Sequence, residues 1–153
     1  MPTIYLGLGT NIGNKKENLT RAIEALSLAL GNYTALSTFV ETKPWGFDSD
    51  STFLNCVVAF DTTVSPTELL DTTEEIERRL GRTTKSTGGV YHDRIIDIDI
   101  LLYGNETIET PRLTIPHLLM HRRDFVLKPL AEIAPDTIHP LLGKKITELL
   151  DEV

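Results

Sequence analysis

Two aspartates stand inside an apolar, β-branched segment, and they are the residues of this sequence best suited to chemistry. The segment runs from Arg94 to Tyr103 (RIIDIDILLY), a composition that predicts a buried strand. Because side chains alternate along a strand, Asp97 and Asp99 share one face, about 6.5–7 Å apart along the chain. Paired carboxylates on a rigid strand suit Mg²⁺, which proteins usually bind together with substrate phosphates. The alternative is a half-exposed edge strand whose aspartates face water.

Cationic residues are concentrated around this segment. The whole chain has a net charge of −7, which argues against a general nucleic-acid-binding protein. Residues 78–128 nevertheless hold nine of the fifteen Lys and Arg residues and only six acidic ones, a local charge of +3. A basic region beside a carboxylate pair suits a small polyanion that arrives with a metal ion. A solvated basic face is the alternative interpretation.

Length and composition predict one domain. The chain has 153 residues, and no repeat or flexible linker divides it, so we expect a single domain over residues 1–153. One cysteine, Cys56, excludes an internal disulfide and a multi-cysteine zinc site. No apolar run reaches the length of a membrane span, and the segment before Gly9 is too short for a signal peptide. We therefore expect a cytoplasmic protein without a membrane partner.

The remaining patterns predict the order β-α-β-β-α-β and then a mainly helical tail. The strands are expected over 3–8, 33–41, 53–60 and 94–103, and the tail helices over 121–133 and 144–150. Asn14 and Ser65 are predicted N-caps of two helices that end at Gly31 and Gly81. This order predicts an α/β (α+β) fold, a ferredoxin-like split-βαβ sandwich with an antiparallel sheet and both helices on one face. The aperiodic segment 83–93 predicts a long functional loop.

Two further motifs are incomplete. The glycines of segment 7–13 fit neither a dinucleotide-binding loop nor a Walker loop, and they favour close approach of the turn to a neighbouring loop or ligand. His117 and His121 are four residues apart and could share a helix face as zinc ligands, but no third ligand has matching spacing. Neither histidine is next to a serine or cysteine in a nucleophile motif, which makes acyl transfer a poor interpretation.

Several landmarks together resemble a known enzyme family over nearly the whole chain. They are residues 8–13 (LGTNIG), 42–46 (TKPWG), 53–55 (FLN), 81–82 (GR), 93–101 (DRIIDIDIL), 113–117 (LTIPH) and 123–127 (RDFVL). In combination they are similar to the bacterial 6-hydroxymethyl-7,8-dihydropterin pyrophosphokinases of folate biosynthesis. The resemblance implies the same ferredoxin-like fold. It also implies that ATP gives its terminal pyrophosphoryl unit to the hydroxymethyl oxygen of the pterin, with release of AMP.

The resemblance further implies the roles of individual residues on the ATP side. Two Mg²⁺ ions are expected with ATP as co-substrate, and Asp97 and Asp99 match the family's metal ligands. Arg82 and Arg94 match phosphate-contacting arginines, and with the two aspartates they form the expected catalytic set. The residues expected to bind ATP are Glu77, Arg82, Lys85, Arg94, Ile100, Arg112, Thr114, His117 and Arg123. The expected partners are ATP and the pterin alone, and we expect a monomer.

On the pterin side, Phe53 and Phe125 match two aromatic residues that sandwich the flat ring. Asn55 can present both an acceptor and a donor to a pterin amide edge. The residues expected to bind the pterin are Thr42, Pro44, Trp45, Phe53, Asn55 and Phe125. Taken without the resemblance, the two phenylalanines would be assigned to the core, His117 to a packed histidine and Arg123 to a surface ion pair.

The sequence departs from the family pattern mainly in segment 83–93. Thr84 stands where many relatives have a second arginine, and Tyr91 stands where a tryptophan is usual. ATP with Mg²⁺ is expected to bind first and to organise this segment.

Two other functions remain open from the sequence. One is a non-catalytic ferredoxin-like module that binds a small molecule. The other is a metal-dependent phosphohydrolase that uses Asp97, Asp99, His117 and His121.

Overall fold

A computed structural model describes residues 1–43, 52–81 and 95–153 of the chain. The strands are β1 (Thr3–Thr10), β2 (Ala35–Leu36), β3 (Val40–Thr42), β4 (Phe53–Asp61), β5 (Asp97–Tyr103), β6 (Ile108–Glu109) and β7 (Thr114–Ile115). The helices are α1 (Lys15–Leu30), α2 (Pro66–Arg79), α3 (Asp124–Ile133) and α4 (Ile146–Glu152), with a 3₁₀ turn at Met120–Arg122.

The first five strands form an antiparallel sheet in which β4 and β1 are central. β1 pairs with β4 on one side and with β5 on the other, and β2 and β3 both pair with the far side of β4. Counted as one interrupted strand, β2 and β3 complete the strand order of a split-βαβ, ferredoxin-like sheet. The aspartate strand, β5, therefore lies at one edge of the sheet.

Helices cover both faces of this sheet. On one face, α1 and α2 pack against alternate residues of the strands, in a core that includes Leu6, Leu26, Ile76 and Ile98. On the other face, α3 and α4 pack over a second core. The α/β sandwich with both internal helices on one face is thus confirmed, and the helical tail adds a third layer.

The two internal helices begin and end as the sequence predicts. The Asn14 side chain accepts a hydrogen bond from the backbone N–H of Glu17, and Ser65 does the same for Glu68. Gly31 follows α1 with a φ of +93°, a conformation that favours glycine. Capping residues of this kind satisfy the backbone groups that a helix end leaves without intrahelical partners.

The predicted strand 33–41 is interrupted. Leu36 pairs with Val58, and Val40 pairs with Asn55. The segment between β2 and β3 is therefore one residue longer than the stretch of β4 opposite it, as in a β-bulge. Within the interruption, the Ser37 hydroxyl accepts a hydrogen bond from the backbone N–H of Val57 at 2.9 Å. A side-chain hydroxyl thus serves as acceptor for a backbone N–H of β4 in place of a strand carbonyl. The pattern of apolar residues in the sequence does not reveal this replacement.

The predicted tail helices also differ in their bounds. The helix predicted over 121–133 is divided, because Arg123 adopts an extended conformation (φ −114°, ψ 103°) between the 3₁₀ turn and α3. The helix predicted over 144–150 begins later, at Ile146. Lys145, the residue before it, donates a hydrogen bond from its backbone N–H to Glu148 Oε1. In residues 1–43, 52–81 and 95–153, no helix is both long and apolar enough to cross a membrane.

Candidate active site

A cavity of about 200 Å³ lies on the α3 face of the sheet. Its floor comes from the centre of the sheet, its acidic side from β5 and its apolar side from β4 and α3. The residues of interest that line it are Gly7, Gly9, Thr42, Phe53, Asn55, Asp97, Asp99, Arg123 and Phe125. A concave site with a few converging polar groups is the usual form of a small-molecule site.

The floor of the cavity is made by two glycines of β1. Gly9 pairs with Asn55 of β4 and Asp97 of β5, and Gly7 pairs with Val57 and Asp99. The neighbouring β1 residues, such as Leu8, turn to the other face and into the core. The sequence predicts only that Gly7 and Gly9 allow the chain to come close to a neighbouring loop or ligand. Their i, i+2 spacing inside a strand is the signal that places both on the face of the aspartates.

The two aspartates of β5 share one face, as strand alternation predicts. Asp97 and Asp99 are half-buried and line the cavity, whereas Ile98 between them is buried in the core on the other side. This arrangement brings two sets of carboxylate oxygens to the same wall. β5 is an edge strand and both aspartates are partly exposed, as the alternative interpretation expects, and they also line the cavity.

Asn55 and Thr42 form a polar pair at the opposite wall. Asn55 is buried, and its Nδ2 donates a hydrogen bond to Thr42 Oγ1 at 2.9 Å. A Cβ atom placed on Gly9 would lie 2.9 Å from Asn55 Oδ1, so the glycine makes room for this amide. The hydrogen bond that the Asn55 amide donates to Thr42 orients the Asn55 side chain before any ligand binds.

Two aromatic rings flank this polar pair. Phe53, at the start of β4, and Phe125, in the first turn of α3, both line the cavity, and Phe125 also packs against the second core. The guanidinium carbon of Arg123 lies 5.7 Å from the centroid of the Phe125 ring, a cation–π distance. Arg123 also lines the cavity.

His117 stands beside Asp99 at the edge of β5. Its Nε2 lies 3.9 Å from Asp99 Oδ2, its Nδ1 accepts from the backbone N–H of Leu119, and its own backbone N–H donates to Leu101 O. Burial lowers the pKa of His117, and the Arg123 cation lowers it further, whereas Asp97 acts in the opposite direction. The imidazole is therefore neutral at pH 7.

The possible zinc pair of His117 and His121 does not assemble. The His121 ring instead makes an edge contact with His139, with 6.4 Å between the ring centroids. Across the described ranges, no group of three or more His, Cys, Asp and Glu residues is placed to hold a metal ion. A metal ion at Asp97 and Asp99 would therefore need further oxygen ligands from substrate or water.

Five residues expected on the ATP side do not line the cavity, and one of them is His117, which lies beside Asp99. Arg112 donates hydrogen bonds to Asp71 Oδ1 at 2.5 Å and Glu74 Oε1 at 2.6 Å on α2, and these partners raise its pKa. The others are Thr114, which is exposed in β7, Ile100, which is buried in the core, and Glu77, which is buried on α2.

Five expected site residues lie outside the described residues: Pro44, Trp45, Arg82, Lys85 and Arg94. The predicted loop 83–93 lies there as well.

The fold and the cavity define an α/β sandwich whose concave site combines two carboxylates with a polar and aromatic wall. A family model for 7,8-dihydro-6-hydroxymethylpterin-pyrophosphokinase matches residues 5–135. The chain belongs to this family, and it is a pyrophosphokinase, a diphosphotransferase.

Relatives of similar length carry the same name. The 2-amino-4-hydroxy-6-hydroxymethyldihydropteridine pyrophosphokinase of Porphyromonas gingivalis is 49% identical over 141 residues, which cover 92% of this chain and 95% of the relative. The enzyme of Aquifex aeolicus is 41% identical over 152 residues, which cover 99% and 92%.

A solved structure of Plasmodium falciparum HPPK-DHPS with pteroate has the same fold, with a TM-score of 0.78 at 17% identity. The match covers 99% of this chain but 44% of the Plasmodium chain, and at this identity it shows the fold alone.

Proposed function

We propose that this cavity is where the chain transfers pyrophosphate from ATP to the hydroxymethyl group of 6-hydroxymethyl-7,8-dihydropterin, the family's reaction in folate biosynthesis, with release of AMP. The observation that carries this proposal is the meeting of two unlike walls across the glycine floor. One wall holds the Asp97 and Asp99 carboxylates, and the rest of the lining includes the Asn55 amide and two aromatic rings. A charged substrate and a flat heterocycle can therefore lie side by side.

The pterin is proposed to occupy the apolar side of the cavity. Phe53 and Phe125 offer ring faces to a flat heterocycle, and stacking of this kind stabilises a bound ring beyond the area it buries. Asn55, oriented by Thr42, can both accept from and donate to the amide edge of the pterin. Pro44 and Trp45 remain proposed pterin contacts on the basis of the family pattern.

The donor set on β5 fits Mg²⁺. Asp97 and Asp99 supply carboxylate oxygens from a rigid strand, and hard divalent cations prefer such ligands in the company of phosphate oxygens. Mg²⁺ bound there would neutralise negative charge on the transferred phosphates. The two aspartates would hold this ion beside the phosphate end of ATP, and phosphoryl transfer needs mainly positioning of the reacting groups.

Cationic and neutral donors complete the proposed ATP side. Arg123 faces the cavity and can bind phosphate oxygens through its planar fork of donors. His117 is neutral at pH 7 and can contact the nucleotide beside Asp99. As a neutral group it does not compete with the metal ion for the Asp99 carboxylate. The remaining proposed phosphate and nucleotide contacts are Arg82, Lys85, Arg94, Arg112 and Thr114.

A nucleotide product analysis tests this function. The full chain is incubated with ATP, Mg²⁺ and 6-hydroxymethyl-7,8-dihydropterin, and the nucleotides are separated by chromatography. We expect AMP and the pterin diphosphate in equal amounts. ADP as the sole nucleotide product would contradict the proposal in favour of a simple kinase, and inorganic phosphate released without the pterin would favour a phosphohydrolase.

We further propose that residues 1–153 act as one domain, as a monomer and in the cytoplasm.

A further inference from the structure

Glu77 is a buried carboxylate that joins α2 to the aspartate strand. The residue is 5% exposed, and its Oε2 accepts a hydrogen bond from the backbone N–H of Ile98 at 2.9 Å. Ile98 is the residue between Asp97 and Asp99. A buried carboxylate is costly unless it is hydrogen-bonded, and the Ile98 amide provides such a hydrogen bond. This contact therefore holds a particular part of β5 in place.

The position of β5 in the sheet gives this contact its importance. In an antiparallel edge strand, alternate backbone N–H groups point away from the neighbouring strand. Among the described strands, β5 pairs with β1 alone, and the Ile98 N–H points to Glu77 on α2. Its amide belongs to the peptide unit that joins Asp97 to Ile98. Holding that peptide plane fixes the Cα atoms of Asp97 and Ile98, and with them the position of Asp97 relative to Asp99 on the same strand.

A second contact presses the end of α2 against the same strand. Gly81 follows α2 with a φ of +112°, and a Cβ atom placed on it would lie 2.8 Å from Ile95 Cδ1. Ile95 comes two residues before β5 begins. The helix therefore meets the strand region both before Asp97, at Ile95, and after it, at Ile98, so the segment that carries the first aspartate is held on both sides.

We propose that Glu77 is a positioning residue for the metal-binding pair: its hydrogen bond to the Ile98 amide sets the direction and separation of the Asp97 and Asp99 carboxylates. This inference rests on the proposed function, in which the two aspartates hold Mg²⁺. Two bridged metal ions lie only about 3.5–4 Å apart, and a misplacement of about 1 Å in such a site costs about a hundredfold in rate. A direct ATP contact is not needed to explain a glutamate at this position.

Two variants separate reach from charge. Glu77→Gln keeps an oxygen acceptor at the same distance but loses the charge, whereas Glu77→Asp keeps the charge but is one methylene shorter. Binding of Mn²⁺, a paramagnetic substitute for Mg²⁺, is measured by electron paramagnetic resonance in the presence of a non-hydrolysable ATP analogue. We expect Glu77→Gln to bind Mn²⁺ within about twofold of the parent, and Glu77→Asp to bind it about tenfold or more weakly, as for other residues that orient metal ligands.

The matched control is Glu75→Gln on the same helix. Glu75 is half-exposed and pairs with Arg78 and Arg79 rather than with β5, so Mn²⁺ affinity should be unchanged. Weakened Mn²⁺ binding in Glu77→Gln would overturn the proposal, because the charge of residue 77 and not the length of its side chain would then determine the affinity. Parental binding in Glu77→Asp would overturn it as well, because the shorter side chain cannot hold the Ile98 amide in the same place.

A measurement on the unmodified protein covers the case in which Glu77→Asp does not fold. If the Glu77 hydrogen bond favours metal binding, metal binding must strengthen that hydrogen bond by the same factor. Hydrogen exchange of the Ile98 amide, followed by NMR, should therefore slow on addition of Mg²⁺ and the ATP analogue. An unchanged exchange rate would overturn the proposal.

Asp99→Asn distinguishes this failure from failure of the proposed function. If Asp99→Asn binds Mn²⁺ as the parent does, the metal assignment itself is wrong. If Asp99→Asn loses binding while Glu77→Asp keeps it, only the positioning role of Glu77 is wrong.

Discussion

The Nε2 atom of His117 lies 3.9 Å from Oδ2 of Asp99. The backbone N–H of His117 also donates to Leu101 O at 3.0 Å, two residues further along the same strand. The histidine is thus attached to β5 through its main chain, and its ring is directed to the carboxylate. This relationship ties the segment after β7 to the acidic wall of the cavity, and it leads to the first prediction.

Replacement of His117 by Gln should affect ATP more than the pterin. We expect the KM for ATP to rise about tenfold or more, the cost of losing one hydrogen bond to a charged group, while the KM for the pterin changes less than about twofold because Phe53 and Asn55 remain. Initial rates with each substrate varied in turn provide the measurement. If only the KM for the pterin rises, His117 contacts the pterin and not ATP.

Replacement of either aspartate by Asn should abolish turnover without unfolding the chain. Loss of a residue that merely orients a metal ligand costs about 10–100-fold in metal affinity or activity, so Asp97→Asn and Asp99→Asn should each lose more than about a hundredfold in kcat/KM. Thermal unfolding should change little, because both residues lie at a cavity wall. Asp136→Asn, at a residue whose side chain is 82% exposed and lies 3.7 Å from Lys145, is the control. Full activity in both cavity variants would contradict the metal assignment.

Gly9→Ala should weaken pterin binding through Asn55. The added Cβ would lie 2.9 Å from Asn55 Oδ1, so the amide must move and its hydrogen bond to Thr42 must weaken. We expect the Kd for the pterin to rise about five- to tenfold, the usual cost of about one hydrogen bond. Isothermal titration with the pterin checks this. A variant that binds the pterin like the parent would show that Asn55 is not a pterin contact.

The Cys56 thiol should be unreactive in the folded protein. Burial raises its pKa from 9.0 to about 12, so at pH 8 the thiolate, the reactive form, is about a thousandfold less populated than in the unfolded chain. A thiol reagent such as iodoacetamide should therefore label the chain only after addition of urea. Since the chain has one cysteine, mass spectrometry reads the result directly. Rapid labelling without urea would contradict the burial of this side chain.

Acidification should destabilise the protein through His139. This residue is 3% exposed, and its Nδ1 accepts from the backbone N–H groups of Leu141 and Leu142. Burial lowers its pKa below the ordinary value of 6.5, and His121 lowers it further. The unfolded state therefore binds a proton more readily, and the stability present above pH 6.5 is lost as the pH falls through the lower, folded-state pKa.

The matched variant for this effect is His139→Asn, whose side-chain oxygen can accept the same hydrogen bonds and does not titrate. The free energy of unfolding in urea, measured at pH 7.5 and pH 5.5, should fall less in His139→Asn than in the parent. Identical losses in the two proteins would show that other groups account for the acid sensitivity.

The sequence by itself determined those features that depend on near neighbours in the chain. The side chains of Asn14 and Ser65 reach backbone N–H groups only three residues away, so capping could be predicted from spacing alone. Strand alternation likewise placed Asp97 and Asp99 on one face. The order of elements then favoured a ferredoxin-like sandwich, since few topologies join such elements by short connections.

Only the tertiary structure decided which distant residues meet. Asn55, Asp97 and Phe125 are far apart in the chain, and they line one cavity because β1 brings β4 and β5 together and α3 packs across them. Spacing could not show that Glu77 turns to the Ile98 amide while Arg112 pairs with acids of α2. A long side chain has many partners within reach, and the packing of whole elements, rather than local conformational preference, selects among them.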